Sequence, residues 1–393
     1  MNTCEERRNS MNQLLHFINE QEQTILKTYA DLHQLAEPSW QEQKTSHYIQ
    51  EELAKAGISF KTFPGHYGII ADIPGEGDEI VALRADLDAL LQEVKGKVQP
   101  NHSCGHDAHS TMVLHTALAF AACKPAGLKP VRFVFQPAEE KGEGALQMIR
   151  DGALEGVHYL FGVHLRPWME VPLGKAAPAI VHSSCATIYG VIKGKQAHAS
   201  RPQDGNNSIE AASFVIQALQ NIRLKSPDSF SIKMTGLHAG VNSSNVIPET
   251  ANFILDLRAA TNEAMEELQS RAFDLLEKVG ALTRTRINST VEEFVPAARL
   301  NKDAIKMAKE AAAFVMGEEN VVDNCISQGG EDFHFYTLQN PEIKATMIGL
   351  GCDLRPGLHH PEMEFNQDAL FYGTKILSSL VYKAALNNHK NKQ

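Results

Sequence analysis

Three short, almost uninterrupted apolar runs limit how this chain can fold: residues 81–86 (VALRAD), 131–136 (VRFVFQ) and 159–165 (YLFGVHL). Runs of this length and density read as strands covered on both faces, the condition of a largely parallel sheet. Helical periodicity over 21–57 and 111–123 alternates with them, and such alternation builds an α/β sheet whose ligands gather at the strand ends. From residue 186 the pattern changes. A strand to 193, a helix over 208–224, strands near 230–237 and 251–259, a helix over 263–279 and a strand over 284–295 give the β-α-β-β-α-β order of a ferredoxin-like unit. After Pro296 the first pattern resumes, with a helix over 303–316, a strand over 345–349 and a terminal helix over 367–386. The expected organisation is a larger domain in two parts, 1–182 and 296–393, with a smaller domain, 183–295, inserted between them.

Charge and cysteine content remove several classes of function. With 47 acidic against 37 basic residues the net charge is −10, which argues against a nucleic-acid partner, since that affinity rests on clustered Lys and Arg. No window approaches the ~18 apolar residues of a membrane span, and Glu5, Glu6, Arg7 and Arg8 stand where a secretory signal is apolar. Met11 is an alternative start, so the first ten residues carry no weight. Six cysteines without a CxxC pair do not make a disulfide framework. A cytoplasmic protein without a membrane partner is expected.

The chemistry-bearing residues collect where strands end. Cys104-Gly105-His106 follows the strand that closes on Asp86-Leu87-Asp88, and its glycine allows a turn tight enough for thiolate and imidazole to reach one metal ion. Gln136-Pro137-Ala138-Glu139-Glu140 closes the next strand. Pro137 ends the ladder, so two adjacent carboxylates can face one site, one as a ligand and one as general base for a water. His164 lies on the third run, and His359-His360-Pro361 offers a further imidazole whose identity spacing does not choose. Taken singly, each feature has an ordinary explanation: a buried thiol, a solvated acidic turn, a core histidine. Their recurrence on successive strand ends is what points to a metal centre. A cysteine hydrolase built on Cys104 and His106 would need one base rather than five convergent ligands. A non-catalytic metal-binding sensor would have no use for the extra carboxylate.

With these segments the chain resembles the aminoacylase and indole-acetyl-amino-acid hydrolase branch of the dinuclear metallopeptidases. The likeness runs nearly end to end, through LHQLAEPSWQEQKT (32–45), ALRADLDAL (82–90), HSCGHDAHS (102–110), FQPAEEKGEGA (135–145), GKQAHASRPQDG (194–205), NVIPETA (245–251), GGEDFHFY (329–336) and LHHPEMEFNQDAL (358–370). CGHDAH with QPAEE is the specific part. The resemblance implies a zinc-peptidase-like catalytic domain with a mixed sheet flanked by helices, and an inserted ferredoxin-like α+β lid and dimerisation domain. It implies two divalent ions (Mn2+, Zn2+ or Co2+) held by Cys104, His106, Glu140, His164 and His359, with Cys104 bridging. His359 is preferred to His360 because the family leaves one residue between its ligand and the following proline. Glu139 becomes the base, and Asp86 the carboxylate orienting a ligand imidazole, with Asp88 as the alternative. His198, Asn245 and Arg258 become substrate contacts, Arg258 for a free carboxylate, and the protein a homodimer in which His198 serves the partner's site. The implied reaction is hydrolysis of N-acyl amino acids, or of dipeptides by the same chemistry. Two departures stand out: the stretch 91–101 is shorter than in the family, and His33-Gln34-Leu35-Ala36-Glu37-Pro38 reorders a familiar motif.

Overall fold

The computed structural model describes residues 2–240 and 242–386, and these divide into two units. The first comprises residues 2–181, 299–326 and 335–386, the second residues 182–240, 242–298 and 327–334.

In the first unit the three apolar runs are neighbouring strands. Ile80–Asp86 pairs in parallel with Val131–Gln136 on one side and Val157–Pro167 on the other, and Lys344–Leu354 extends the parallel set. Antiparallel strands close both edges, Ser59–Phe63 with His66–Ile73 on one and Ala176–Ala177 on the other, giving a seven-stranded mixed sheet. The expected mixed sheet flanked by helices is therefore observed. Its core joins Phe133 and Phe161 of the sheet to Leu32, Ile49, Phe120 and Leu377 of the helices. Helix His106–Cys123 is buried on nearly every face, so its apolar residues show no single stripe.

Local chemistry corrects two element boundaries and gives the short stretch 91–101 a structure. The helical stretch read over 21–57 is two helices, Glu22–Gln34 and Gln43–Lys55. Pro38 and a left-handed Trp40 (φ 66°) interrupt them. The helix over 208–224 stops at Leu219. The short stretch 91–101 is a hairpin, Leu90–Val94 with Lys97–Asn101, turned by Lys95 and Gly96 at positive φ. Two consecutive positive-φ residues match the twist of the flanking strands.

The second unit has the expected β-α-β-β-α-β order. Its sheet runs Phe230–Ala239, Thr250–Ala259, Ser184–Lys193, Arg286–Val295, antiparallel throughout. Strict alternation of burial along Ser184–Lys193 leaves one face to helices Ser208–Leu219 and Asn262–Thr283. Asn207 and Thr261 cap those helices, their side chains accepting from Ile209 N and Ala264 N.

Gly190 marks the tightest point of this sheet. It faces Phe253 across the ladder, and a β-carbon at position 190 would come within 2.1 Å of the Phe253 ring. Gly190→Ala should therefore cost about 1–3 kcal/mol, the usual range for overpacking. Thermal unfolding checks this, and an unchanged midpoint would contradict the packing described.

Candidate metal centre

The parallel strands deliver their carboxyl ends to one place. Asp86 pairs with Gln136, and Arg84 with Gly162, so the turn after Gln136 and the segment bearing His164 flank the end of the Asp86 strand. Gly105 (φ 85°) then turns the chain into helix His106–Cys123. Besides its left-handed backbone, close approach favours glycine here: an added β-carbon would stand 3.0 Å from Leu165 Cδ1.

Hydrogen bonds fix which ring nitrogens are available. His106 donates Nδ1–H to the Asp88 carbonyl at 2.8 Å, and His164 donates Nδ1–H to the Leu165 carbonyl at 2.7 Å. A carbonyl only accepts, so each neutral ring presents its Nε2 lone pair. His109 is different: its Nε2 accepts from Leu165 N at 3.0 Å and its Nδ1 donates to Asp86 Oδ1 at 2.8 Å. With both nitrogens engaged, His109 has no free lone pair for an ion.

The free atoms converge. Cys104, His106 and His164 offer ligand atoms that all lie within 4.8 Å of one another, and so do Cys104, Glu140 and His359. Cys104 belongs to both groups, with Sγ 3.6 Å from His164 Nε2. His359 Nε2 lies 3.6 Å from Glu140 Oε1. Glu139 Oε2 stands 3.8 Å from His106 Nε2, and Glu140 Oε1 the same distance from it. Two of these atoms, His106 Nε2 and Glu140 Oε1, are buried with no hydrogen-bond partner. Burying acceptors without donors is costly, whereas cations among thiolate, imidazole and carboxylate satisfy all of them. The donor set fits divalent metal ions.

Electrostatics point the same way. Burial pushes the Cys104 thiol well above its ordinary pKa, with Glu140 adding to the shift. Burial likewise raises Glu140 to about 7. His106 is held well above the imidazole range although burial opposes its charge, because Asp86, Cys104 and Asp88 together outweigh that cost. A field that favours a proton on His106 favours a cation in its place.

The turn carrying Glu139 and Glu140 is held from outside. Asp88 accepts the main-chain N–H groups of Glu139 (3.0 Å) and Glu140 (3.1 Å) and the Ser39 hydroxyl (2.6 Å). Buried Glu42 accepts the N–H of left-handed Ala138 at 2.9 Å. Asp86 differs from its expected place: its carboxylate receives His109 and, at 2.6 Å, Arg84 Nη1 rather than a ligand imidazole. The hold on ligand-type His106 comes from Asp88. Glu42 and His109 were missed as supports although both lie in quoted motifs, because a helix-start glutamate and a histidine in a ligand-rich segment give no sign of their partners.

The three residues expected in the inserted domain are not together. His198 and Asn245 are exposed on a two-stranded ribbon, where His198 pairs with Val246. Arg258 lies at the far end of strand Thr250–Ala259, about 27 Å from Thr250 at ~3.4 Å per residue. Its guanidinium donates to Asp256 through Nε and Nη2 and to Cys185 Sγ through Nη1.

A family model described as Peptidase family M20/M25/M40 matches residues 82–383. The chain belongs to this family. Among M20 relatives, an IAA-amino acid hydrolase (ILR1-like 2) of Arabidopsis thaliana is 31% identical over 91% of this chain and 84% of its own. An N-acetylcysteine deacetylase of Bacillus subtilis is also 31% identical, over 91% of this chain and 95% of its own. The crystal structure of a Bacillus subtilis protein described as a dinuclear metal binding peptidase of the M20 family superposes with a TM-score of 0.79 at 28% identity, covering 92% of this chain and 98% of that one. The family resemblance read from CGHDAH and QPAEE is thus borne out.

Because the Asp88 carboxylate takes both main-chain N–H groups of the glutamate turn, one on each oxygen, Asp88→Asn, which keeps the carbonyl on His106 but puts an N–H in place of one of those oxygens, should lower cation affinity about 10–100-fold, the usual effect of removing a partner that orients metal ligands. Equilibrium dialysis reads this, and unchanged affinity would remove Asp88 from that role.

Proposed function

We propose that this M20 protein is a metal-dependent amidohydrolase that cleaves the amide bond of N-acyl amino acids to a carboxylic acid and a free amino acid. The observation that carries the reading is the pair of donor groups sharing Cys104, with unpartnered His106 Nε2 and Glu140 Oε1 beside a further carboxylate, Glu139. Two relatives whose names specify amino acid conjugates support the substrate class.

Cys104, His106, Glu140, His164 and His359 hold the ions in this reading. When bound, such ions polarise an acyl carbonyl and acidify a water at neutral pH. Mixed sulfur, nitrogen and oxygen donors suit Zn2+, Mn2+ or Co2+. Glu139, side chain only 10% exposed, takes the proton of the attacking water and returns it to the leaving amine. Glu139→Gln should keep the metal and lose about 10²–10⁴ in turnover, since the amide cannot accept that proton. Hydrolysis of an N-acetyl amino acid panel checks this, and near-normal turnover with loaded metal would remove Glu139 as the base.

Substrate contacts call for a second copy. In one chain the His198–Asn245 ribbon and Arg258 occupy opposite ends of a sheet, too far apart for one small substrate, and a two-fold partner supplies the missing end. Support comes from exposed Ile216 beside exposed Leu237 of the edge strand Phe230–Ala239, since uncovered apolar edges are where strands pair. Arg258 then reads the free carboxylate with the N–H groups that Asp256 and Cys185 leave over. Sedimentation should give a dimer, and His198→Ala should abolish turnover while the cations stay bound. A fully active monomer would overturn this part. Cys104, Cys123, Cys185, Cys325 and Cys352, all free thiols, support a cytoplasmic location.

A further inference from the structure

Four of the five candidate ligands are fixed by the sheet and the helix start, but His359 is not. Its side chain is 53% exposed, and its backbone is left-handed (φ 63°), a conformation that a β-carbon disfavours and that surroundings must enforce. Two hydrogen bonds do so. The His359 N–H donates to the Ser103 carbonyl at 2.8 Å, and the His359 carbonyl accepts from Gln92 Nε2 at 2.8 Å.

Gln92 is itself anchored. Its Oε1 accepts from Ser103 Oγ at 2.8 Å and from Asn101 Nδ2 at 3.1 Å, and Asn101 Nδ2 also donates to the Pro361 carbonyl at 3.1 Å. The hairpin Leu90–Asn101 thus grips the 359–361 loop from one face, and Ser103, the residue before Cys104, bonds both to Gln92 and to the His359 N–H. We propose that Gln92 is a positioning residue: through the carbonyl of His359 it sets the affinity of the second cation, the one on the Cys104, Glu140 and His359 side, while leaving the Cys104, His106 and His164 side untouched. The two ions therefore bind stepwise, the buried histidine pair taking the tighter one. The inference rests on the two-cation reading of the centre.

Titrating the metal-free full-length protein with Co2+, followed by thiolate-to-cobalt absorption and by metal analysis, tests it without recourse to activity. Wild type should take two equivalents in two phases. Gln92→Met should weaken the second phase about 10–100-fold and leave the first unchanged. Gln92→Glu should behave like Met, because it still accepts from Ser103 and Asn101 but has no N–H for the His359 carbonyl. In a His359→Ala background Gln92→Met should add nothing, as expected of two residues acting through one contact. Equal weakening of both phases, no weakening, a Glu variant that binds like wild type, or additive losses would overturn the role of Gln92. A wild-type protein that takes fewer than two equivalents would overturn the two-cation reading itself.

Discussion

Asp88 is the joint on which the site depends. Its carbonyl fixes the His106 tautomer and its carboxylate accepts two consecutive main-chain N–H groups of the glutamate turn. One residue thereby sets the aim of an imidazole and of two carboxylates that come from distant parts of the sequence. Such a device works only on a rigid support, and parallel pairing of three strands provides it. Buried Arg84 binds Asp86 on its own strand and Gln136 on the neighbouring one, so these polar groups at the sheet's end are paired before any ion arrives. Of the five buried side-chain atoms left without partners among the described residues, two, His106 Nε2 and Glu140 Oε1, are atoms a cation would satisfy, which is how a buried polar cluster becomes a binding site rather than a liability.

The second unit follows a different logic. Its sheet is covered by helices on one face, and the residues read as substrate contacts lie at its two ends. Arg258 is pinned by Asp256 and Cys185 on its own sheet, which preorganises the guanidinium at the expense of some of its donors. Exposed Ile216 and Leu237 at the edge strand would be an aggregation hazard on a monomer, a hazard that the proposed pairing with a second copy would remove.

Much of this was legible in the sequence because the signals were chemical and local. Apolar runs ending in polar residues gave the parallel strands, and the Cys-Gly-His and Gln-Pro-Ala-Glu-Glu segments announced their ends. The choice between Asp86 and Asp88 as the residue that orients a ligand imidazole was not legible because the two are separated by one residue and look equivalent, while the contact to His106 is made by a main-chain carbonyl that no side-chain pattern encodes. Gln92 was passed over for a related reason: it acts on a backbone 267 residues away in sequence. Trp40 and the Lys95-Gly96 turn hid in positive-φ positions, of which only the glycine is visible in composition.

The central claim is that Cys104 is shared between two cations. Anomalous diffraction from crystals grown with Zn2+ or Mn2+ measures this directly. The account predicts two peaks per chain, each at bonding distance from the Cys104 sulfur, about 2.3 Å for zinc, one beside His106 and His164 and the other beside Glu140 and His359. A single peak, or two peaks of which one lies out of reach of Cys104, would contradict it.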